Sequence, residues 1–243
     1  MSGHSKWSNI KRKKEKTDSQ RAKIFTKVGR EIAVAIKEGG ADPAVNGKLR
    51  DVIAKAKAAN VPNDNIERLI KRSSSEKIEY ETIIYEGYSA GGVAVMVETL
   101  TDNRNRTASD MRHYFDKYGG NLGTSGCVSF MFTQVGSIVI DIEKMDQDSV
   151  MEDCFESGAE DVTFEENVAE ITTKVEDLRS VREFFENRKY KFLSVETDYI
   201  ASNYMDINDE AQLKQIASLF ERLDDNDDVQ NYWHNLMNAD DLP

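Results

Sequence analysis

The chain has 243 residues, of which 39% are hydrophobic and 31% charged, and its mean hydropathy is −0.60. This length predicts one to three domains, each able to bury a core without disulfide or metal support. No apolar run approaches the ~18 residues that a membrane span requires, and the basic start has no apolar segment behind it, so we expect neither an integral membrane protein nor a secretory signal. The two cysteines are too few for a disulfide framework and are typical of a cytoplasmic protein.

The net charge of −12 is distributed very unevenly along the chain. Residues 1–77 contain 19 Lys and Arg against 9 Asp and Glu, a net charge of +10, whereas the remaining residues carry −22. Such an asymmetry is typical of a nucleic-acid-binding end joined to a body with another role. Because the acidic body would repel a duplex that wrapped around it, we expect local contact through the amino-terminal end.

Three helices are predicted after a basic arm without apolar periodicity. The first is capped by Asp18 or Ser19, and its apolar face consists of Ile24, Val28, Ile32 and Ile36, which recur every four positions. The second is predicted to start at Asp42, an N-cap residue followed by proline, and the third at Pro62. The serine run at 73–75 is predicted to be the linker that leaves this helical domain.

Beyond the linker the apolar period changes from 3.6 to 2, which indicates strands. Strands are predicted at 82–86, 93–100 and 128–132, with an amphipathic helix after the second. From about 135 the order strand, helix, strand, strand, helix, strand is that of a ferredoxin-like unit, at 137–142, 149–157, 162–165, 169–174, 175–187 and 192–197. A last helix at 210–223 and strand at 229–233 would complete the earlier sheet.

The predicted fold class is therefore α+β and multidomain: an amino-terminal three-helix domain followed by two α+β domains, the last of them ferredoxin-like and inserted into the middle one. The predicted boundaries are 1–77 for the basic arm and helical domain, 78–133 with 200–243 for the discontinuous middle domain, and 134–199 for the insertion.

The densest cationic segment lies in the arm and contains His4, Lys6, Trp7, Lys11, Arg12, Lys13 and Lys14. Cations beside an aromatic ring suit phosphate neutralisation and stacking on an unpaired base, whereas the alternative is a solvated tail. The first helix extends this candidate nucleic-acid-binding surface with Arg21, Lys23, Lys27 and Arg30.

A second candidate contact lies where a strand gives way to a helix. There Arg104 and Arg106 stand near the positive end of the helix dipole, which favours an anion. The alternative is a capping turn in which both arginines pair with carboxylates of a neighbouring domain. The residues alone leave the two open.

Neither a catalytic site nor a cofactor is predicted. The glycine-rich stretch 119–126 permits a phosphate cradle, but it fits no nucleotide-binding motif, and a sharp helix-to-strand reversal is the favoured interpretation. The three histidines are too scattered for a metal site, and the run 224–228 departs from the EF-hand pattern and is predicted to be a solvated acidic loop.

Several motifs together resemble the YebC/PmpR family, in the same order along the whole chain: Gly3–Trp7, Lys23–Lys27, Gly39–Pro43, Tyr85–Tyr88, Thr101–Thr107, Gly119–Gly126 and Asp227–Asn231. Two departures are small: Ser89-Ala90 replaces a frequent Gly-Pro, and Ala22 replaces a frequent glycine. The resemblance implies three domains, one inserted in another, in a cytoplasmic bacterial protein. Family members are described as DNA-binding transcriptional regulators, mitochondrial relatives are translational activators, and bacterial members have been linked to the ribosome.

Three hypotheses for function follow. The first is a DNA-binding transcriptional regulator, although no predicted helix shows an obvious base-reading face. The second is a translation factor that inserts its arm into structured RNA, possible partners including the ribosome, since RNA exposes unpaired bases that DNA hides. The third, an enzyme acting on a phosphorylated small molecule, has no general base or nucleophile in the motifs. The acidic insertion is expected to contact a protein partner, and no membrane is expected as a partner.

Overall fold

The computed structural model describes residues 18–75, 78–239 and 242–243, except for the side chains of residues 18–22 and 58. The described residues form seven α-helices and two four-stranded antiparallel sheets, which confirms the predicted α+β class. They divide into two compact units. One unit is Phe132–Ser202, and the other combines the described residues up to Met131 with Asn203–Pro243. None of the described helices is both long and apolar enough to cross a membrane.

The helical domain consists of α1 (Asp18–Gly39), α2 (Gly47–Ala58) and α3 (Asn63–Ser75). Both α2 and α3 pack against α1. Of the predicted apolar face of α1, Val28 and Ile32 are buried, whereas Ile24 and Ile36 are partly buried. Ala35 of α1, one face of each later helix and the connecting residue Val61 complete the buried core: Ala35, Leu49, Val52, Ala56, Val61 and Ile66.

Two boundaries in this domain differ from the prediction. The second helix begins at Gly47 and not at Asp42, because the buried Asn46 caps it: the Asn46 side chain accepts a hydrogen bond from the Leu49 N–H at 3.0 Å. The same side chain donates to the Ala35 carbonyl at 2.7 Å, which ties the cap to α1. The serines at 73–75 belong to α3 and form no linker.

The eight strands in chain order are β1 (Glu81–Tyr88), β2 (Ala94–Thr101), β3 (Asn121–Leu122), β4 (Phe132–Asp141), β5 (Asp161–Glu165), β6 (Val168–Thr173), β7 (Lys191–Ala201) and β8 (Val229–His234). The middle domain contains the sheet β3-β1-β2-β8, on which α4 (Arg104–Lys117) and α7 (Glu210–Asp225) pack. Its core joins β2, α4 and α7 through Val95, Val97, Met111, Phe115, Ile216, Leu219 and Leu223. The return of α7 and β8 to this sheet confirms that the ferredoxin-like unit is an insertion.

The inserted unit has the sheet order β5-β6-β4-β7, with α5 (Gln147–Ser157) and α6 (Leu178–Asn187) between its strands. This is the ferredoxin-like order that the sequence predicts. Residues 128–132 are not a separate strand: Ser129–Met131 form a 3₁₀ turn, and β4 runs without interruption from Phe132 to Asp141. Residues 132–202 contain 18 Asp and Glu against 7 Lys and Arg, so this unit alone carries a net charge of −11.

Candidate nucleic-acid interface

All seven predicted contact residues of the arm lie outside the described residues. These are His4, Lys6, Trp7, Lys11, Arg12, Lys13 and Lys14. The backbone of Arg21 lies in α1, but its side chain is not described. The structure therefore locates the side chains of the other five candidates: Lys23, Lys27, Arg30, Arg104 and Arg106.

The three predicted cations of α1 all contact the acidic loop 224–228. Lys23 forms an ion pair with Asp225, and Lys27 donates to the Asp224 carbonyl at 3.2 Å. Arg30 forms an ion pair with Asp228. Spacings of four and three residues place the three cations on one face of α1. The prediction of a solvated acidic loop is thus wrong: Asp224 and Asp225 belong to the last turn of α7, Asp228 is buried, and the run 224–228 binds the basic face of α1.

Asp228 is the centre of this contact and only 3% of its surface is exposed. Its carboxylate also accepts hydrogen bonds from Arg106 at 2.9 Å and from the Thr107 hydroxyl at 2.6 Å. Burial alone would raise the pKa of Asp228, but the hydrogen bonds from Thr107, Arg30 and Arg106 outweigh it and hold the pKa below its ordinary value. Asp228 is therefore an ionised link between α1 and the middle sheet.

Arg104 and Arg106 have different environments, although the sequence analysis predicts the same role for both. Asn103 caps α4 by accepting a hydrogen bond from the Arg106 N–H at 3.1 Å, and the Arg106 guanidinium pairs with Asp102 and Asp228. These contacts match the capping-turn alternative, within one domain. Arg104 is 68% exposed and pairs only with the exposed Glu81 at 3.0 Å among the residues that the structure describes. Exposed pairs contribute about 0–1 kcal/mol, so a phosphate can replace Glu81 at little cost.

The glycine-rich stretch is held by a buried carboxylate. Glu86 accepts hydrogen bonds from the backbone N–H groups of Gly126, Val128 and Ser129 at 2.8 to 2.9 Å. Burial would raise the pKa of Glu86, but these bonds outweigh it and lower the pKa. The Gly126 N–H is therefore bound by the Glu86 carboxylate, and the Gly120 and Gly123 N–H groups donate to the Phe115 and Glu86 carbonyls, which favours the reversal over the phosphate cradle.

Four exposed cations on α2 and α3 escaped the sequence analysis: Arg50, Lys57, Arg68 and Lys71. Within the described residues, the side chains of Arg50, Lys57 and Lys71 have no hydrogen-bond or ion-pair partner, and Arg68 contacts only the Asp64 carbonyl of its own helix. Helical spacing would have revealed that Arg50 and Lys57 share a face of α2 and that Arg68 and Lys71 share a face of α3. Only the fold shows that no described carboxylate contacts these four side chains.

The other α2 lysines serve as a contrast to this group. Lys48 pairs with Glu38 at 2.7 Å, and Lys55 pairs with Glu31 at 2.9 Å.

Four residues, 59–62, join α2 to α3, and Asn60 adopts the left-handed conformation there with φ of 60°. A connection of this length is typical of helix-turn-helix units. Arg50 and Lys57 on one face of α2, together with Arg68 and Lys71 on one face of α3, are named the α2–α3 cationic surface below.

The described residues contain no group of three or more His, Cys, Asp or Glu side chains placed to hold a metal ion. Burial raises the pKa of Cys154 to about 12 and raises that of Cys127 as well, so neither thiol is ionised at neutral pH. The arrangement of charges can bind a polyanion.

Comparisons with known proteins cover nearly the whole chain. Residues 5–76 match the TACO1/YebC protein N-terminal domain, and residues 80–236 match the TACO1/YebC second and third domain. A protein of Acetivibrio thermocellus is 52% identical over 97% of this chain and 98% of its own length, and one of Finegoldia magna is 52% identical over 98% and 100%. Both are named "Probable transcriptional regulatory protein". The crystal structure of a conserved hypothetical protein from Aquifex aeolicus is similar, with a TM-score of 0.81 and 43% identity over 91% of this chain and 92% of that one.

Proposed function

Since the chain belongs to the TACO1/YebC family, as its YebC/PmpR-like motifs predicted, we propose that it is a nucleic-acid-binding regulator of gene expression that contacts duplex DNA through its helical domain. The names of its relatives support a regulatory role at the level of the family. The proposal includes a cytoplasmic location and a role in binding without catalysis.

The observation that carries the proposal is the α2–α3 cationic surface. Its four side chains are exposed and have no acidic partner among the described residues, so binding a phosphate requires no internal ion pair to break. Each cation that neutralises a phosphate releases a condensed counterion, which is the main source of affinity for a duplex. Asn63 is exposed at the first position of α3, and asparagine is a residue type that reads adenine in the major groove.

The rest of the molecule restricts the contact to this end of the chain. The inserted unit carries −11, and the basic face of α1 is covered by the loop 224–228. A duplex is therefore expected to meet its most favourable field around the helical domain, and we keep the arm cations and the exposed Arg104 as further contacts. This proposal keeps the predicted arm residues as contacts and adds four cations to them.

The experiment compares two double variants with the same change in net charge. Lys57→Ala with Lys71→Ala removes two cations from the α2–α3 cationic surface, whereas Lys144→Ala with Arg179→Ala removes two from the inserted unit. We expect the first variant to weaken binding of a 20-base-pair duplex and to reduce the slope of log affinity against log salt by about 0.9 per lost contact. The second variant should leave the slope unchanged. Equal slopes in both variants would contradict the proposal.

A second candidate function is translational regulation through structured RNA on the ribosome. The observation that favours it is a partly aromatic groove in the helical domain, which a fully paired duplex cannot fill. Offering labelled protein both purified ribosomes and promoter-length duplex at ~150 mM salt distinguishes the two candidates. Preferential capture by ribosomes supports translation, and sequence-dependent capture by the duplex supports transcription.

We also propose that the inserted unit contacts a basic protein partner. Helix α5 exposes Phe155, whose surface is 77% accessible, beside the exposed carboxylates Glu152 and Glu156. An exposed aromatic ring among acidic side chains is suited to a cationic protein surface. Charge reversal at Glu152 should abolish capture of such a partner, and duplex binding by the helical domain should not change.

A further inference from the structure

A groove of about 710 Å³ opens between α1, the carboxyl-terminal half of α3 and the segment 78–80. Its volume lies within the range of about 300–1,000 Å³ that small-molecule sites occupy. All of its lining residues belong to one compact unit, so its shape is set by the packing of α3 on α1. The groove is a preformed concave site next to the α2–α3 cationic surface.

The walls of the groove combine aromatic and aliphatic side chains. Phe25 of α1 and Tyr80 of the segment 78–80 each leave part of a ring accessible, and Ile78 is 41% exposed. Tyr80 also lies near the Arg30 guanidinium, 5.6 Å from the ring centroid. Accessible aromatic rings beside cations are the surfaces on which unpaired bases stack.

The charged lining is cationic overall. Arg30, Lys37 and Arg72 line the groove against a single carboxylate, Glu79, which Lys37 contacts at 2.8 Å. Arg30 pairs with Asp228 and Lys37 with Glu79, and Arg72 also has a partner of its own, so a phosphate in the groove would share these cations with the groups that they already contact. Ser74, one turn of helix beyond Lys71, adds a hydroxyl group to the lining. The helix that carries Arg68 and Lys71 thus also supplies the polar wall of the groove.

We propose that this groove binds one unpaired nucleotide of the nucleic-acid partner. The base packs against Phe25 and Tyr80, and the phosphate lies toward Arg72 and Lys37. This inference rests on the nucleic-acid-binding role in the proposed function and deepens its translational alternative, because an unpaired base beside a bound backbone is a feature of structured RNA. Bases in an intact duplex are stacked and paired, so they cannot enter.

The test uses two variants of neighbouring serines in the full chain. Ser74→Glu places a carboxylate in the lining, whereas Ser75→Glu places the same charge in the same helical turn outside it. The probes are a ten-residue oligouridine and a blunt 20-base-pair DNA duplex, and binding is measured by fluorescence anisotropy at ~150 mM salt. We expect Ser74→Glu to bind the oligouridine about tenfold more weakly than Ser75→Glu. The two variants should bind the duplex equally.

A second variant tests the groove without changing charge. Ala33→Leu reduces its volume and should weaken oligouridine binding while duplex binding is retained. Equal oligouridine affinities for Ser74→Glu and Ser75→Glu, with wild-type affinity in Ala33→Leu, would overturn the groove assignment alone. If the wild-type protein binds neither the oligouridine nor the duplex, the nucleic-acid-binding function on which the assignment rests is overturned instead.

Discussion

Arg30 and Asp228, 198 positions apart in the chain, form an ion pair in which both side chains are largely buried, with exposures of 13% and 4%. Arg30 also donates to the Leu100 carbonyl at 2.8 Å, at the end of β2. Arg30 of α1 thus contacts both the loop before β8 and the end of β2, the strand that pairs with β8. This link lets the basic helical domain dock on the acidic middle domain through polar contacts.

The substitution Asp228→Asn should destabilise the middle and helical domains strongly. It keeps the volume of the side chain but leaves the buried Arg30 without a counter-charge, and breaking a buried pair on one side costs about 3–5 kcal/mol. The free energy of unfolding can be measured in urea from the fluorescence of Trp233 in β8, in a Trp7→Phe background that leaves it as the single tryptophan.

The neighbouring Asp227→Asn serves as the matched control for this substitution. Asp227 is exposed, so the same chemical change should alter the free energy of unfolding by less than about 0.5 kcal/mol. If both variants lose a similar free energy of unfolding, stability depends on the total charge of the loop, and the Arg30–Asp228 pair has no special role.

The same pair predicts the direction of a pH dependence. The pKa of Asp228 is lowered in the folded protein from an ordinary value of 3.8, so the unfolded state binds the proton more readily. The stabilisation is therefore complete above about pH 5 and is lost as the pH falls through 3.8 toward the folded pKa. We expect the stability difference between wild type and Asp228→Asn to be constant from about pH 5 to 7 and to shrink below pH 4. A difference that grows on acidification would contradict this sign.

The fold was predictable wherever a local pattern determines it. The apolar spacing from Ile24 to Ile36 predicts α1, and alternation predicts β1 and β2. The start of α2 was mispredicted because Asp42 and Asn46 are both good N-caps, and only contact with the Ala35 carbonyl selects Asn46. Residues around Val128 look like a strand, but their N–H groups are bound by Glu86, which lies 42 positions earlier in the chain. Such partners cannot be inferred from spacing alone.

The candidate site was predictable as a region but not residue by residue. Charge counting identifies the amino-terminal end as basic, yet it cannot distinguish Lys23, which is paired with Asp225, from Lys57, which has no partner among the described residues. The difference depends on where the loop 224–228 folds back, about 200 positions later in the chain. Long-range pairing therefore decides which cations remain available to a polyanion.

The substitution Glu86→Gln should loosen the glycine-rich stretch. A glutamine has one acceptor oxygen and no charge, so it cannot satisfy the three N–H groups that the Glu86 carboxylate binds. We expect a loss of about 2–3 kcal/mol and faster hydrogen exchange at the amides of Gly126, Val128 and Ser129. Glu81→Gln, an exposed change on the same strand, should leave these exchange rates unaltered. Unchanged rates in Glu86→Gln would mean that other contacts hold the loop.

The acidic loop should compete with nucleic acid for the basic face of α1. Asp225→Ala releases Lys23 from its exposed ion pair, which is worth about 0.2–1 kcal/mol, so duplex affinity should rise by up to about fivefold. Asp227→Ala removes the same charge from the same loop without releasing a described cation, and it should raise affinity less. Adding Lys23→Ala to Asp225→Ala should remove the gain. Equal affinities for Asp225→Ala and Asp227→Ala in anisotropy titrations would show that Lys23 stays away from the duplex, and the interface would then be confined to α2, α3 and the arm.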